Sequence, residues 1–358
     1  MAGRTKSPER QTRSTRAFGL APALLALPAT AAAGWIGYST FFIPKRMRLP
    51  PAVSGERQEF ASRAGRLSYY TAAPEQISAD GTPPLLLVHS VNAAASAYEV
   101  RPLYEHYRAQ RRVYALDLPG FGFSERSDRE YTPRLMTDAI HAVIDEIRRR
   151  EGPVPIDVLA LSLGAEFLAR AGAENPAAFR TLGFVSPTGF ESSGPRRGQP
   201  GSTRGNGFLY DAVSFPVWGR ALFDLLNTRI SARFFLEKAW GSKAIDEGLW
   251  NYDYLTSHQP GAEHAPFYFV GGYLFSDDIT GIYETLPMPV FLAHGVRGDF
   301  VDFAGVPAFS GRPNWTIEVY QTGAFPHFER LAEFTRAYDA FLGHAAPTGG
   351  SIPAHAPA

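Results

Sequence analysis

The sequence predicts an α/β fold: a mostly parallel central sheet with helices on both faces, an inserted helical cap and an N-terminal hydrophobic helix. Three observations predict it. Short continuous apolar runs alternate with stretches of helical period, the pattern of strands buried on both faces by crossover helices. That rhythm stops between Ser186 and Val290, where aromatic residues crowd helical segments. Before the first strand lies an uncharged stretch, residues 17–44.

The elements follow in order. Residues 1–16 form a basic segment, with Arg4, Lys6, Arg10, Arg13 and Arg16 against Glu9. Residues 17–44 are long enough for a spanning helix of about 20 residues, and Trp35 and Tyr38 suit an interfacial belt. The excess of Lys and Arg before the segment favours an N-terminus inside. The segment thus reads as a membrane anchor that leaves the following domain outside the cytoplasm. A signal peptide cleaved near Ala29-Thr30-Ala31 or Ala31-Ala32-Ala33 is the alternative, and it gives a secreted or periplasmic protein. A transit-type leader and an Ala/Pro-rich tail are further alternatives. Residues 45–57 read as a linker.

Residues 58–190 hold the first part of the α/β core. Runs 58–61 and 66–71 form a short antiparallel pair around Ala64-Gly65. Residues 84–88, 112–116, Ile156–Leu161 and 181–185 are apolar strands. Helices cover 98–110, the stretch opening at Thr132-Pro133 with Met136, Ile140, Val143, Ile144 and Ile147 on one face, and the stretch after Ser162. Residues 191–286 form the helical cap. Residues 287–343 complete the core with strands at 290–293 and Trp315–Tyr320, then a closing helix with Phe328, Leu331, Phe334, Tyr338 and Phe341 on one stripe. Residues 344–358 read as a disordered Ala/Pro/Gly/His-rich tail.

Composition excludes several classes. Basic and acidic residues balance at 35 each, so bulk nucleic-acid binding, which needs a basic excess, is not expected. There is no cysteine, which removes a thiolate nucleophile, a disulfide framework and Cys-ligated zinc. No histidine sits in a metal-ligand pattern, so no metal and no cofactor are expected.

The chemistry centres on Ser162. Strand Ile156–Leu161 runs into Ala160-Leu161-Ser162-Leu163-Gly164 and then a helix. A serine between small residues at a strand-to-helix turn suits the strained backbone of a nucleophile elbow, which lifts Oγ clear of the sheet. The helix N-terminus favours negative charge there. A serine that merely caps the helix is the alternative.

From these residues the chain resembles the α/β-hydrolase family, in its subset with a cap domain and a serine nucleophile, over roughly residues 58–343. Leu85-Leu86-Leu87-Val88-His89-Ser90 is similar to the family's strand ending in His-Gly. Asp117-Leu118-Pro119-Gly120-Phe121-Gly122-Phe123-Ser124 resembles its D-x-x-G-x-G-x-S turn. Residues 289–302 and 323–329 stand where relatives carry the acid and the histidine. The resemblance implies Ser162 as nucleophile, Asp299 as acid with Asp302 second, and His327 as base, in the chain order of the fold. It implies an oxyanion hole from the amides of Val91 and Leu163. Three departures stand out. Ser90 replaces the glycine after His89, Asp299 lies one residue beyond the usual acid position, and Ala324 occupies the usual histidine position, with His327 three residues on.

The expected function is therefore a serine hydrolase acting on a small apolar carboxyl ester or similar acyl substrate through an acyl-enzyme on Ser162. Other serine-based activities (C–C bond hydrolysis, perhydrolysis, acyl transfer) and a catalytically silent binding protein are the alternatives.

Overall fold

The computed structural model describes residues 29–74, 82–300 and 302–345. The chain divides into two compact units, residues 1–43 and 44–358. In the first, helix α1 spans Ala29–Phe42. Its 14 residues measure roughly 21 Å, against a hydrocarbon core of about 30 Å. Among the described residues no helix is long and apolar enough to cross a membrane. The basic segment, residues 17–28 of the hydrophobic stretch and most of the C-terminal tail lie outside the described residues.

The second unit carries an eight-stranded sheet in the order β1-β2-β4-β3-β5-β6-β7-β8. Its strands are β1 Glu56–Ser62, β2 Gly65–Ala72, β3 Leu85–Val88, β4 Val113–Asp117, β5 Ile156–Leu161, β6 Phe179–Val185, β7 Val290–Gly295 and β8 Trp315–Tyr320. The hairpin β1–β2 and the pair β2–β4 are antiparallel; all pairings from β4 to β8 are parallel. This is the mostly parallel sheet that the alternation predicts. The apolar runs are continuous because both faces are covered. Leu86 and Val88 of β3 join Val158 and Ala160 of β5 in one core, while Leu85 and Leu87 join Leu159 and Leu161 in the other. Helices α3 (Pro133–Glu151) and α4 (Gly164–Glu174) cover the first face through Ile140, Val143, Phe167 and Leu168. Helix α2 (Arg101–Tyr107) and the closing helix α12 (Leu331–His344) cover the second through Tyr104, Tyr107, Phe334 and Tyr338.

Two helices differ from the expected ones. The stretch 98–110 divides into a 3₁₀ turn, Ala97–Val100, and α2. The closing helix breaks at Arg330, whose φ of −135° is not helical, leaving a short helix α11, Pro326–Glu329, before α12. His327 lies in α11.

The cap comprises α5 (Gly207–Ser214), α6 (Gly219–Leu226), α7 (Arg229–Trp240), α8 (Glu247–Ser257), α9 (His264–Val270) and α10 (Ile279–Thr285). Trp240 and Tyr252 are buried in it, whereas Phe208, Phe215, Trp218 and Phe234 are exposed. Its entry loop is pinned beneath: Arg196 donates to buried Glu166 of α4 at 2.9 Å, and the Ser276 amide donates to the same carboxylate at 2.8 Å.

Candidate active site

At the end of β5 the backbone of Ser162 turns into the left-handed region, with φ of 48°. A non-glycine residue held there costs on the order of 1–3 kcal/mol, and such strain gathers at functional sites. The surroundings enforce it. The Ser162 amide donates to the Val185 carbonyl of β6 at 2.8 Å, and the Ser162 carbonyl accepts from Ala165 at 3.0 Å as α4 begins. Gly164 must be small, because a Cβ there stands 2.5 Å from the His89 carbonyl oxygen. Since Val88 pairs with Ala160, the turn lies beside the loop that follows β3.

That loop supplies Val91. Among the described residues neither the Val91 nor the Leu163 amide has a protein acceptor, so both remain available to a developing oxyanion. His89 is structural: its Nε2 accepts from the Leu118 amide at 2.9 Å, which leaves the proton on Nδ1, 2.5 Å from the Ser90 carbonyl. Burial lowers its pKa to about 4. The Ser90 amide and hydroxyl both donate to Glu99, at 2.8 and 3.0 Å, and Asn92 Nδ2 donates to it at 2.6 Å. Glu99 is absent from the sequence-based site. The one signal for it was Ser90, a hydroxyl where a glycine is usual.

The acid and base candidates each engage partners other than the serine. Asp299 is exposed and pairs with Lys238 Nζ at 2.8 Å. Asp302 accepts from the Ser192 amide and hydroxyl at 2.9 and 2.6 Å. His327 is wholly buried, among the rings of Phe325, Phe328 and Phe334. Its Nε2–H donates to the Glu99 carbonyl at 2.8 Å, while Nδ1 has no hydrogen-bond partner among the described residues. Burial lowers its pKa to about 4, so the ring is neutral near pH 7. Among the described residues no hydrogen bond joins Ser162, His327 and Asp299.

The end of α7 accounts for this arrangement. The Asp299 amide donates to the Lys238 carbonyl at 3.0 Å, and the Ala324 amide to the Ala239 carbonyl at 2.9 Å. Gly298, with φ of 97°, lies so close beneath α7 that a Cβ there stands 2.6 Å from the Lys238 carbonyl. Trp240 stacks on Phe325, with centroids 4.5 Å apart. Both loops are therefore docked on the last turn of α7, where they satisfy carbonyls a helix end leaves free. Glu329 accepts from the Gly323 amide at 2.7 Å and closes the loop that carries Ala324 and His327.

Ser186 also escaped sequence reasoning. It follows β6 as Ser162 follows β5, with the same φ of 48°, and its hydroxyl donates to the Ala324 carbonyl at 2.8 Å. A serine directly after an apolar strand run was the available signal.

Comparison with known proteins accords with this geometry. The model of the alpha/beta hydrolase family matches residues 85–341. No curated protein sequence matches the chain. Among solved structures, the chain is similar to a probable hydrolytic enzyme from Pseudomonas aeruginosa PAO1 (18% identity, TM-score 0.64, covering 84% of this chain and 99% of that one). It is similar to a meta-cleavage product hydrolase from Pseudomonas fluorescens IP01 (17%, 0.61, 81% and 98%) and to a carboxylesterase from Bacillus subtilis (17%, 0.58, 90% and 99%). At these identities the structural likeness speaks for the fold. With most of its length matched by the family model and its sheet, cap and strained serine turn in place, the chain belongs to the alpha/beta hydrolase family.

Proposed function

We propose that this hydrolase cleaves a carboxyl ester or similar acyl substrate through an acyl-enzyme on Ser162. The observation that carries the reading is the strained Ser162 turn at the end of β5, with the Leu163 and Val91 amides lacking acceptors among the described residues. In the first half-reaction a base takes the Ser162 proton as Oγ attacks the acyl carbon. The tetrahedral oxyanion collapses, and the alcohol leaves with that proton. Water then attacks the acyl-enzyme and releases the acid. His327 is assigned the base role, its Nδ1 lone pair being unused, with Asp299 as the orienting acid. The assignment requires His327 Nε2–H to exchange the Glu99 carbonyl for Asp299, and Asp299 to leave Lys238, so it belongs to a substrate-bound state. The aromatic cap favours an apolar acyl group. The reading extends to a membrane attachment through residues 17–44 with the catalytic unit outside the cytoplasm, or to a secreted form after cleavage. Retention of the full chain in membrane pellets after carbonate washing tests the attachment.

A second reading, a catalytically silent binding protein, is favoured by the hydrogen bond of His327 to Glu99 and by Ala324 in the histidine register. A fluorophosphonate probe separates the two. The catalytic reading expects one adduct, on Ser162, lost in Ser162→Ala, and ester turnover that falls by at least 10³-fold in that variant. An unlabelled wild-type protein establishes the silent reading. Full turnover in His327→Ala places the base elsewhere.

A further inference from the structure

We infer that Glu99 is the positioning residue of the oxyanion loop, fixing the Val91 amide by clamping the residues on both sides of it. The inference rests on the reading of Ser162 as nucleophile. Three donors converge on the one carboxylate: the Ser90 amide on Oε2 at 2.8 Å, the Ser90 hydroxyl on Oε1 at 3.0 Å and Asn92 Nδ2 on Oε1 at 2.6 Å. Val91 is the residue between Ser90 and Asn92, so its peptide is tethered from each end while its own N–H has no acceptor among the described residues.

The clamp itself is rigid. Glu99 is 1% exposed and sits in the 3₁₀ turn Ala97–Val100. Ser96 caps that turn, and the Ala97 amide ties it to the Asp117 carboxylate at 3.0 Å. Burial raises the Glu99 pKa, and the donors from Ser90 and Asn92 oppose that shift, offsetting part of the cost of burying the carboxyl group. Among the described residues, all of the side-chain hydrogen bonds to this carboxylate come from the oxyanion loop. A glycine after His89 offers no side-chain donor, so Ser90 and Glu99 read as a matched pair. The same residue reaches the other half of the site, because its carbonyl accepts from His327.

Phosphonylation of Ser162 by the fluorophosphonate probe tests the inference, since its transition state loads the same amides. Glu99→Gln puts an NH₂ group against at least one donor. It is expected to lower the maximal labelling rate by roughly 10²-fold, the scale of one oxyanion donor, with the half-saturating probe concentration unchanged. Ser90→Gly is expected to lower it less, and Ser90→Gly with Glu99→Gln to be less than additive, as for residues in one network. Labelling of Glu99→Gln at the wild-type rate, a loss confined to the half-saturating concentration, or full additivity overturns the inference. Should Glu99→Gln fail to fold, Asn92→Ala carries the test: a slowed rate is expected, and a wild-type rate overturns it. Amide hydrogen exchange gives a readout independent of acylation. Residues 89–95 are expected to exchange faster in Glu99→Gln, and equal protection overturns the clamp. A wild-type protein that takes no label but shows this difference sinks the nucleophile reading and leaves the clamp standing.

Discussion

Asp253 of α8 shows what a single buried carboxylate does here. It is more than nine-tenths buried, and among the described residues its Oδ1 has no hydrogen-bond partner. Burial first, then the Glu99 and Asp246 carboxylates, push its pKa well above the ordinary value. The folded protein therefore holds a proton that the unfolded chain has released. Stability contributed by that proton is present at low pH and lost as pH rises from the unfolded value through the raised one. Asp253→Asn removes the titration and is expected to stabilise the protein by about 1–3 kcal/mol at pH 8, with the gain shrinking toward pH 4. Urea denaturation at the two pH values measures it; a gain that does not change with pH contradicts the assignment. Such a residue is invisible to sequence reading, because its isolation comes from elements far apart in the chain. Ser162 is the opposite case. Its signal is local, a strand, a turn and a helix within a few residues, and the backbone follows. The partners of Asp299 and His327 were not legible, because Lys238 and Glu99 reach them from the cap and from the turn after β3.

At the scale of elements, α7 decides how the cap meets the core. Its last carbonyls bind the amides of Asp299 and Ala324, and Trp240, 2% exposed, packs on Phe325 and Phe328. Trp240→Ala is expected to destabilise the protein by about 3–5 kcal/mol, the range for a buried aromatic truncated to alanine. It is also expected to raise hydrogen exchange across residues 296–299 and 323–328. Wild-type protection in those loops would show that α7 does not hold them. The periodic stripe from Phe328 to Phe341 reads as one helix because periodicity carries no information on the break. The break at Arg330 comes with tertiary anchoring of the preceding turn, where the Glu329 side chain holds the Gly323 amide. Apolar strands buried on both faces leave a plainer trace, and the expected positions of β3, β5 and β8 agree with the observed ones to within a residue or two.

At the scale of the whole catalytic unit, residues 45–57 are where a composition-based reading and the fold part. Two prolines and a glycine suggested a linker, yet the segment is a strap joining cap and core. On the cap, Gln259 Nε2 donates to the Met47 carbonyl at 2.7 Å and the Tyr252 hydroxyl to the Pro50 carbonyl at 2.8 Å. On the core, the Ala52 amide donates to the Tyr70 hydroxyl at 3.1 Å, and Ser54 donates to Glu105 through its amide at 3.0 Å and its hydroxyl at 2.8 Å. Lys45 pairs with buried Asp224, which Arg220 also reaches. The strap is made mainly by backbone groups, so side-chain pattern could not reveal it. A chain beginning at Pro44 keeps every one of these contacts and is expected to unfold at the same denaturant midpoint as the catalytic unit of the full chain. A chain beginning at Gly55 loses them. It is expected to be less stable by on the order of 3–5 kcal/mol, at about 1 kcal/mol for each net hydrogen bond, with cap residues around Tyr252 and Gln259 exchanging first. Equal midpoints for the two truncated chains would mean that the cap is held without the strap, by contacts such as those of α7, the Arg196–Glu166 pair and the Arg170–Asp278 pair.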